Sequence, residues 1–552
     1  MAKRVLIVGG VAGGASCAAR LRRLDENVEI VMFERGEHIS FANCGLPYYI
    51  GGEIKKREAL LVQSVETMKA WFNIDVYVQT EVTAIHPEKK FVTVTDFTTG
   101  ESREEHYDAL VLSPGAAPYV PDLDGLEAAR DRIFTIRNVA DVDALKGFID
   151  TQKPKTAVIA GGGYVGLEMA ENLVKQGLKV HLVQRPNQVM KSLDPEMASL
   201  ISDELRANGV ELYLSNALAG FENDGKTVRL KDGTVIDTDF TVLAIGVRAD
   251  SKLAKDAGFE TTDRGAIVID DQFRIPGVSD VYAIGDAVQV KDFVFGFDTY
   301  VPLAGPANRM GRMVADIICG AAKHYKGTLS SSVARVFNLH CAATGKTCRE
   351  LKERGIDFKT IHLYPANHAM YYPGGSQISF KVIYSPEDGR LYGAQAVGKD
   401  MGVDKTIDVV ATAIAGHMTV YDLQDLELCY APPFGTAKAP VNFAGYIAEN
   451  IASGEGYLDD MAELDRLLEA GAVMLDVRTK KETERVPMPA TLHIPLHELR
   501  DRIGELPTDQ PIIVTCMVGL RGHIACRMLQ AHGINAVNVG GGAKHYHQHL
   551  HQ

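Results

Sequence analysis

The sequence predicts an α/β protein. It has two doubly wound dinucleotide-binding domains, an α+β domain and a compact C-terminal α/β unit. Three observations carry that expectation. A strand–glycine turn–helix–strand unit opens the chain and returns about 150 residues later. The texture changes near residue 330, and a separate helix–strand pattern runs from about 460 to the end. The 552 residues are ample for several separate cores.

The elements follow in order. Residues 5–8 are a short apolar strand, 9–14 a glycine turn, 15–24 an Ala/Arg-rich helix and 28–33 a strand that closes on Glu34. The repeat reads as strand 156–160, turn 161–166, helix 167–176 and strand 179–183. Its long period marks paired nucleotide domains rather than a solenoid. Between them, 76–96 and 105–112 alternate apolar and polar residues as antiparallel strands do, with similar short strands at 227–230 and 241–245. Strands 378–384 and 391–397 precede a helix over 404–415. Residues 451–456 form a short linker. Beyond it come helix 461–470, strands 473–477 and 511–515, and a helix over 522–532.

Composition narrows the function. The net charge is −13 and no basic run is present, which argues against nucleic acid or an anionic membrane as partner. No apolar run approaches the ~20 residues of a membrane span. The N-terminus enters a strand at once, without the core of a signal peptide, so a cytoplasmic protein with reduced thiols is expected. Its eight cysteines include no Cys-x-x-Cys pair, which disfavours a zinc ribbon or a disulfide framework, and no metal is expected. Cys17, Cys319, Cys341, Cys348, Cys429 and Cys526 read as core residues. His545, His547, His549 and His551 read as an uncommitted, frayed tail.

The glycine turns carry the first chemistry. Gly161, Gly163 and Gly166, with Tyr164 and Val165 between, form a full G-x-G-x-x-G between strand and helix. Such a turn brings backbone N–H groups and a helix N-terminus to a pyrophosphate. In the first turn, Gly9, Gly10, Val11, Ala12 and Gly14, valine replaces the middle glycine. Glu34 stands where a carboxylate holds a ribose hydroxyl. The equivalent position in the repeat is Gln184-Arg185, which leaves NADH and NADPH both open.

Val281-Tyr-Ala-Ile-Gly-Asp-Ala287 puts Asp286 at a strand end after a glycine. With Ser113-Pro114-Gly115-Ala-Ala-Pro118, Ala244-Ile-Gly-Val-Arg248 and the two turns, residues 1–448 resemble the pyridine nucleotide-disulfide reductase superfamily. Ala249 departs from the proline common there. The resemblance implies FAD in the first unit, NAD(P)H in the second, and Asp286 on the FAD ribityl chain. It implies an FAD domain at 1–113 with 244–325, an NAD(P)H domain at 114–243 and a dimerisation domain at 326–450.

Ser40-Phe-Ala-Asn43-Cys44-Gly-Leu-Pro-Tyr48 is the decisive stretch. Tyr49 and Ile39 lie five residues to either side of Cys44, so it has no local cysteine partner. Its redox partner is then an external thiol or an oxygen atom. Single-cysteine peroxidases and oxidases carry a histidine in the first turn, where this chain has Ala12. The stretch is instead similar to coenzyme A-disulfide reductases. That resemblance implies that Ser16, Arg20, Arg23, Ser40, Asn43, Lys69, Asn308 and Lys438 bind coenzyme A. It implies that Tyr430 and Tyr372 (or Tyr371) assist catalysis across a dimer interface.

Leu475-Asp-Val-Arg478, His493-Ile-Pro495 and Thr515-Cys516-Met-Val-Gly-Leu-Arg521 carry the last signal. A Cys-x4-Arg loop between strand and helix places a thiolate before inward-facing N–H groups. Residues 460–552 thereby resemble a rhodanese domain, with Cys516 the sulfur carrier and Arg521 in its loop. The expected protein is an FAD-dependent NAD(P)H reductase of coenzyme A persulfides and disulfides, a cytoplasmic homodimer acting on small-molecule thiol substrates. The alternative is an NADH oxidase using a Cys44 sulfenic acid.

Overall fold

A computed structural model describes residues 3–399 and 401–551. The chain divides into two compact units, Met1–Pro186 with Gly209–Ser330, and Asn187–Asn208 with Ser331–Gln552.

The first unit holds two parallel five-stranded sheets. One runs Val281–Ala283, Ala109–Leu112, Arg4–Val8, Glu29–Phe33, Asp75–Tyr77. The other runs Glu211–Tyr213, Lys179–Val183, Thr156–Ala160, Phe240–Leu243, Ile133–Phe134. Their central strands are apolar and buried, as strands covered on both faces must be. The helices Ala12–Leu24 and Tyr164–Lys175 begin inside the glycine turns, three residues ahead of the sequence expectation. Two three-stranded antiparallel sheets accompany them, Thr80–His86 with Phe91–Asp96 and Ser102–His106, and Leu218–Glu222 with Thr227–Leu230 and Val235–Asp237.

Three expected antiparallel segments need correction. Phe240–Leu243 is a central parallel strand, buried throughout. The 105–112 stretch splits at Tyr107 into an antiparallel strand end and the parallel strand Ala109–Leu112. The start of 76–96 belongs to the parallel edge strand Asp75–Tyr77. Alternation over a few residues does not separate a half-buried strand from a buried one.

The second unit joins an antiparallel sheet to a parallel one. The antiparallel sheet orders Ser332–Val336, Leu339–Gly345, Leu391–Lys399, Ser379–Tyr384, Lys359–Leu363. The helices Val403–Ala415 and Pro440–Ala452 follow it in the chain, and Pro195–Ala207 contributes from a distant stretch. The parallel sheet orders Gly456–Leu458, Ala536–Val539, Ile512–Thr515, Val473–Asp476, Leu492–His493. Of the expected linker, Ile451 and Ala452 end the helix Pro440–Ala452 and Gly456 opens the edge strand. The histidine-rich tail is the helix Gly542–Leu550, with His545 and Tyr546 buried, and not a frayed end. Cys319 and Cys429 are exposed rather than core, whereas Cys17, Cys341, Cys348 and Cys526 are buried.

Candidate active site: nucleotide turns and two sulfur loops

Both turns need glycine where helix and turn meet. A Cβ on Gly14 would lie 1.9 Å from the Gly9 carbonyl oxygen, and one on Gly166 would lie 1.9 Å from that of Gly161. Val11 is tolerated because it takes an ordinary negative φ as the residue before the first helix. At the end of each second strand one side chain pins its turn. Glu34 Oε2 accepts the Gly10 N–H at 2.9 Å, and Gln184 Oε1 accepts the Gly162 N–H at 2.9 Å. Glutamine keeps the pin and removes the charge. Arg185 beside it is exposed.

The residues present fit FAD in the first turn. Asp286 has a buried Oδ1 with no hydrogen-bond partner, and burial pushes its pKa up. A buried acceptor left without a donor is costly, and a ligand hydroxyl would satisfy it. Ser113, Pro114 and Gly115 follow directly on the strand Ala109–Leu112, where Gly115 runs against the Arg137 guanidinium. Arg137, which sequence reading missed, also draws the Asp286 pKa down against burial.

Cys44 sits exposed in the turn Asn43–Gly45, just before the helix Leu46–Ile50. Burial of its surroundings pushes the thiol pKa up, and the Glu168 and Asp286 carboxylates push it the same way. Resting Cys44 is therefore held toward the thiol, and a cation or an electron acceptor brought alongside would favour the thiolate. The Asn43 amide lies 3.5 Å from the Arg137 carbonyl.

A cavity of about 330 Å³ is lined by Ser16, Arg23, Ser40 and Asn308, all expected, and by Gln63, Met68, Phe72 and Arg312, which were not. Ser16 Oγ donates to Asn308 Oδ1 at 2.6 Å, drawing the first helix to Ala304–Ile318. The two arginines expected on one helix face part company here. Arg20 is tied to Asp316 at 2.7 Å, while Arg23 is exposed at the cavity. Arg312, from the other helix, supplies the second positive charge. Its placement needs the helix–helix contact and leaves no local sequence signal. Lys69 pairs with Asp75 at 2.6 Å and does not line the cavity.

In the second unit, the Tyr371 and Tyr430 hydroxyls meet at 3.2 Å on exposed loops. Tyr430 is thus partnered by Tyr371 rather than Tyr372, whose ring packs edge-on against His368. Lys438 is exposed on the following stretch.

Cys516 directly follows the strand Ile512–Thr515, and its Sγ accepts the Gly519 N–H at 3.1 Å. The side chain is buried. Arg521 makes a bidentate pair with Glu482 at 2.6 and 2.8 Å, which holds the Glu482 carboxyl down at about 2. Arg521 therefore acts first as a brace for the loop. Glu482 was missed, although its capping box with Thr479 just after Asp476-Val-Arg478 was a visible signal. Asp476 and Arg478 form a buried bidentate pair below the loop. The Cys516 and Met517 carbonyls accept the N–H groups of Ala543 and Lys544 at 2.8 and 3.1 Å, so the closing helix seats the loop.

Known proteins resemble the chain along its whole length. Residues 3–311 match the pyridine nucleotide-disulphide oxidoreductase family, 331–440 its dimerisation domain and 460–549 the rhodanese-like domain. A coenzyme A disulfide reductase of Staphylococcus haemolyticus is 35% identical over 450 residues, 81% of this chain and all of that protein. The crystal structure of reduced CoADR-RHD from Bacillus anthracis superposes with a TM-score of 0.97 at 48% identity, covering 100% of this chain and 98% of that one. A NAD-dependent persulfide reductase from A. fulgidus gives 0.90 at 32% identity, covering 98% and 100%.

Proposed function

Given that this chain belongs to the pyridine nucleotide-disulphide oxidoreductase family, we propose that it reduces coenzyme A persulfides and disulfides with NAD(P)H. The observation that carries this reading is the pairing of two unlike sulfur sites in one chain. One is an exposed Cys44 with no cysteine nearby in sequence, and the other is Cys516 in a sulfurtransferase-type loop. A reductase of coenzyme A disulfide alone has no need of a sulfur carrier.

Gly9 to Gly14, Glu34, Ser113 to Gly115 and Asp286 hold FAD, and Gly161 to Gly166 with Gln184 and Arg185 hold NAD(P)H. When bound, FAD takes a hydride from the nicotinamide and returns two electrons to sulfur. The Cys44 thiolate attacks the coenzyme A-bound sulfur of a persulfide. A Cys44–S–S–CoA bond forms and hydrosulfide leaves. Two electrons and a proton then open that bond to the Cys44 thiolate and coenzyme A thiol. Ser16, Ser40, Asn308 and Arg23 orient the coenzyme A, with Arg312 as the second charge on its phosphates. In a cytoplasmic homodimer, Tyr430 with Tyr371 or Tyr372 of the second copy would deliver the proton to the leaving sulfur. Cys516 carries sulfane sulfur as a persulfide and loads it onto coenzyme A.

Anaerobic stopped-flow mixing of the NAD(P)H-reduced enzyme with coenzyme A persulfide, coenzyme A disulfide and oxygen in turn tests the reading. Fast flavin reoxidation by the two sulfur substrates is expected. Fast reoxidation by oxygen alone would favour a Cys44 sulfenic acid oxidase instead.

A further inference from the structure

A buried histidine pair where the closing helix meets the antiparallel sheet has no part in the chemistry above. His545 lies on Gly542–Leu550 and His362 on the strand Lys359–Leu363. They are 4% and 1% exposed, and their ring centroids are 3.9 Å apart. Glu196, in the first turn of Pro195–Ala207, completes the group. One nitrogen from each ring and one Glu196 oxygen all lie within 4.8 Å of one another. Ligands around a tetrahedral zinc, at bonds of ~2.0–2.1 Å, stand roughly 3.4 Å apart, so the set closes when the nitrogens draw in and the two rings turn out of their stack.

Hydrogen bonding fixes which nitrogens are available. Nδ1 of His545 faces the Gly540 carbonyl at 3.1 Å. A carbonyl only accepts, so Nδ1 carries the proton and Nε2 keeps its lone pair. Nε2 of His362 meets Ser379 Oγ at 3.1 Å, while its Nδ1 is buried with no partner at all. Metal-ligating histidines are held in this way, one nitrogen on a fixed protein group and the other open.

The Asp194, Glu196 and Asp459 carboxylates nearby are at most 10% exposed. Lys381 pairs with Asp194 at 2.9 Å and with Glu196. Lys544 lies over the Tyr364 ring instead.

We propose that Glu196, His362 and His545 bind a zinc ion that fastens the closing helix, and through it the Cys516 loop, to the antiparallel sheet. The link to the loop is direct. His545 stands one residue beyond Lys544, whose N–H donates to the Met517 carbonyl as that of Ala543 does to the Cys516 carbonyl. Two imidazoles and a carboxylate suit zinc and leave a fourth position for water.

Full-length flavin-loaded protein, stripped by a chelator, is titrated with zinc chloride in competition with a chromophoric chelator. Tight uptake of about one zinc per chain is expected. His545→Gln and Glu196→Gln should each weaken it by more than the ~10–100-fold typical of second-shell losses. His547→Ala, which removes a ring bonded to the Pro487 carbonyl, should leave uptake unchanged. Cobalt(II) should give visible d–d bands without a thiolate charge-transfer band. The proposal is overturned if the wild type takes up no zinc tightly, if uptake survives the Glu196→Gln/His545→Gln pair, or if a thiolate band shows that a cysteine is the ligand. His362→Ala should weaken uptake likewise; should it fail to fold, the glutamine variants and the wild-type spectrum still decide it.

Discussion

Replacing Glu482 with glutamine isolates the brace on the sulfur loop. In the structure both Glu482 oxygens accept from Arg521, and its pKa falls from an ordinary 4.5 to about 2. At 1.36 kcal/mol per pKa unit that depression sets a ceiling of ~3 kcal/mol. Arg521 and Glu482 remain 31% and 26% exposed, and water screens such a pair, so ~1–2 kcal/mol is the expected contribution. The sign follows from linkage. A carboxylate with a lowered folded pKa stabilises above its unfolded value, and the contribution fades as pH falls from ~4.5 towards ~2. Glu482→Gln should therefore lower the melting temperature near neutrality, and the gap should close as the pH approaches the lower value. Freed from its brace, Arg521 leaves the loop less ordered. Thiosulfate sulfurtransferase kcat/KM should drop about tenfold, the equivalent of ~1.4 kcal/mol, while coenzyme A disulfide reduction stays within about twofold. Calorimetry across pH and paired steady-state assays check this. An unchanged melting temperature with full sulfurtransferase activity would refute the brace, and an equal loss in both activities would refute the separation of the two sites.

Cys44→Ser should bind FAD and accept a hydride yet lose turnover of both coenzyme A disulfide and coenzyme A persulfide, read as flavin that reduces but does not reoxidise under argon. Cys516→Ala should do the reverse, losing sulfur transfer from thiosulfate or polysulfide while preformed coenzyme A disulfide is still reduced at near the wild-type rate. Gln184→Glu keeps an oxygen for the Gly162 N–H but restores a charge, so kcat/KM for NADPH should fall by at least ~10-fold while that for NADH changes little; parallel loss with both nucleotides would show that the turn itself was damaged. Neutralising Arg23 and Arg312 together should raise KM for coenzyme A substrates far more than for small persulfides, with kcat held, in the same NAD(P)H oxidation assay.

The glycine turns and the cysteine loops were legible because their chemistry is local. A turn in which an added Cβ would meet a carbonyl oxygen at 1.9 Å, or a thiol set between strand and helix, is written in consecutive residues. Strand 179–183 and strand 227–230 matched the reading to the residue. What escaped depends on contacts distant in sequence. Arg312 reaches the cavity from a helix nearly 300 residues beyond Arg23. Arg20 faces Asp316 and so leaves the anion site that its spacing suggested. Phe240–Leu243 looked like a surface strand because four residues cannot show whether one face or two are covered. The closing helix hid behind alternating histidines, whose burial depends on the strand and helix packed against them.

The order of strands in the first parallel sheet also governs how this chain comes off the ribosome. Its edge strand Val281–Ala283 pairs with Ala109–Leu112, made about 170 residues earlier. Everything the second parallel sheet needs, from Ile133 to Phe240–Leu243, is synthesised in between. At ~5–20 residues per second the nascent first sheet waits roughly ten to thirty seconds with Ala109–Leu112 as an open edge. The second sheet can close first, and Asp286, which follows the late edge strand, takes its place only after the interruption has been translated and folded out of the way. On the role proposed for Asp286, flavin capture becomes a late event in the birth of the molecule, and a translational stall before residue 281 would leave a half-built sheet for chaperones to shield.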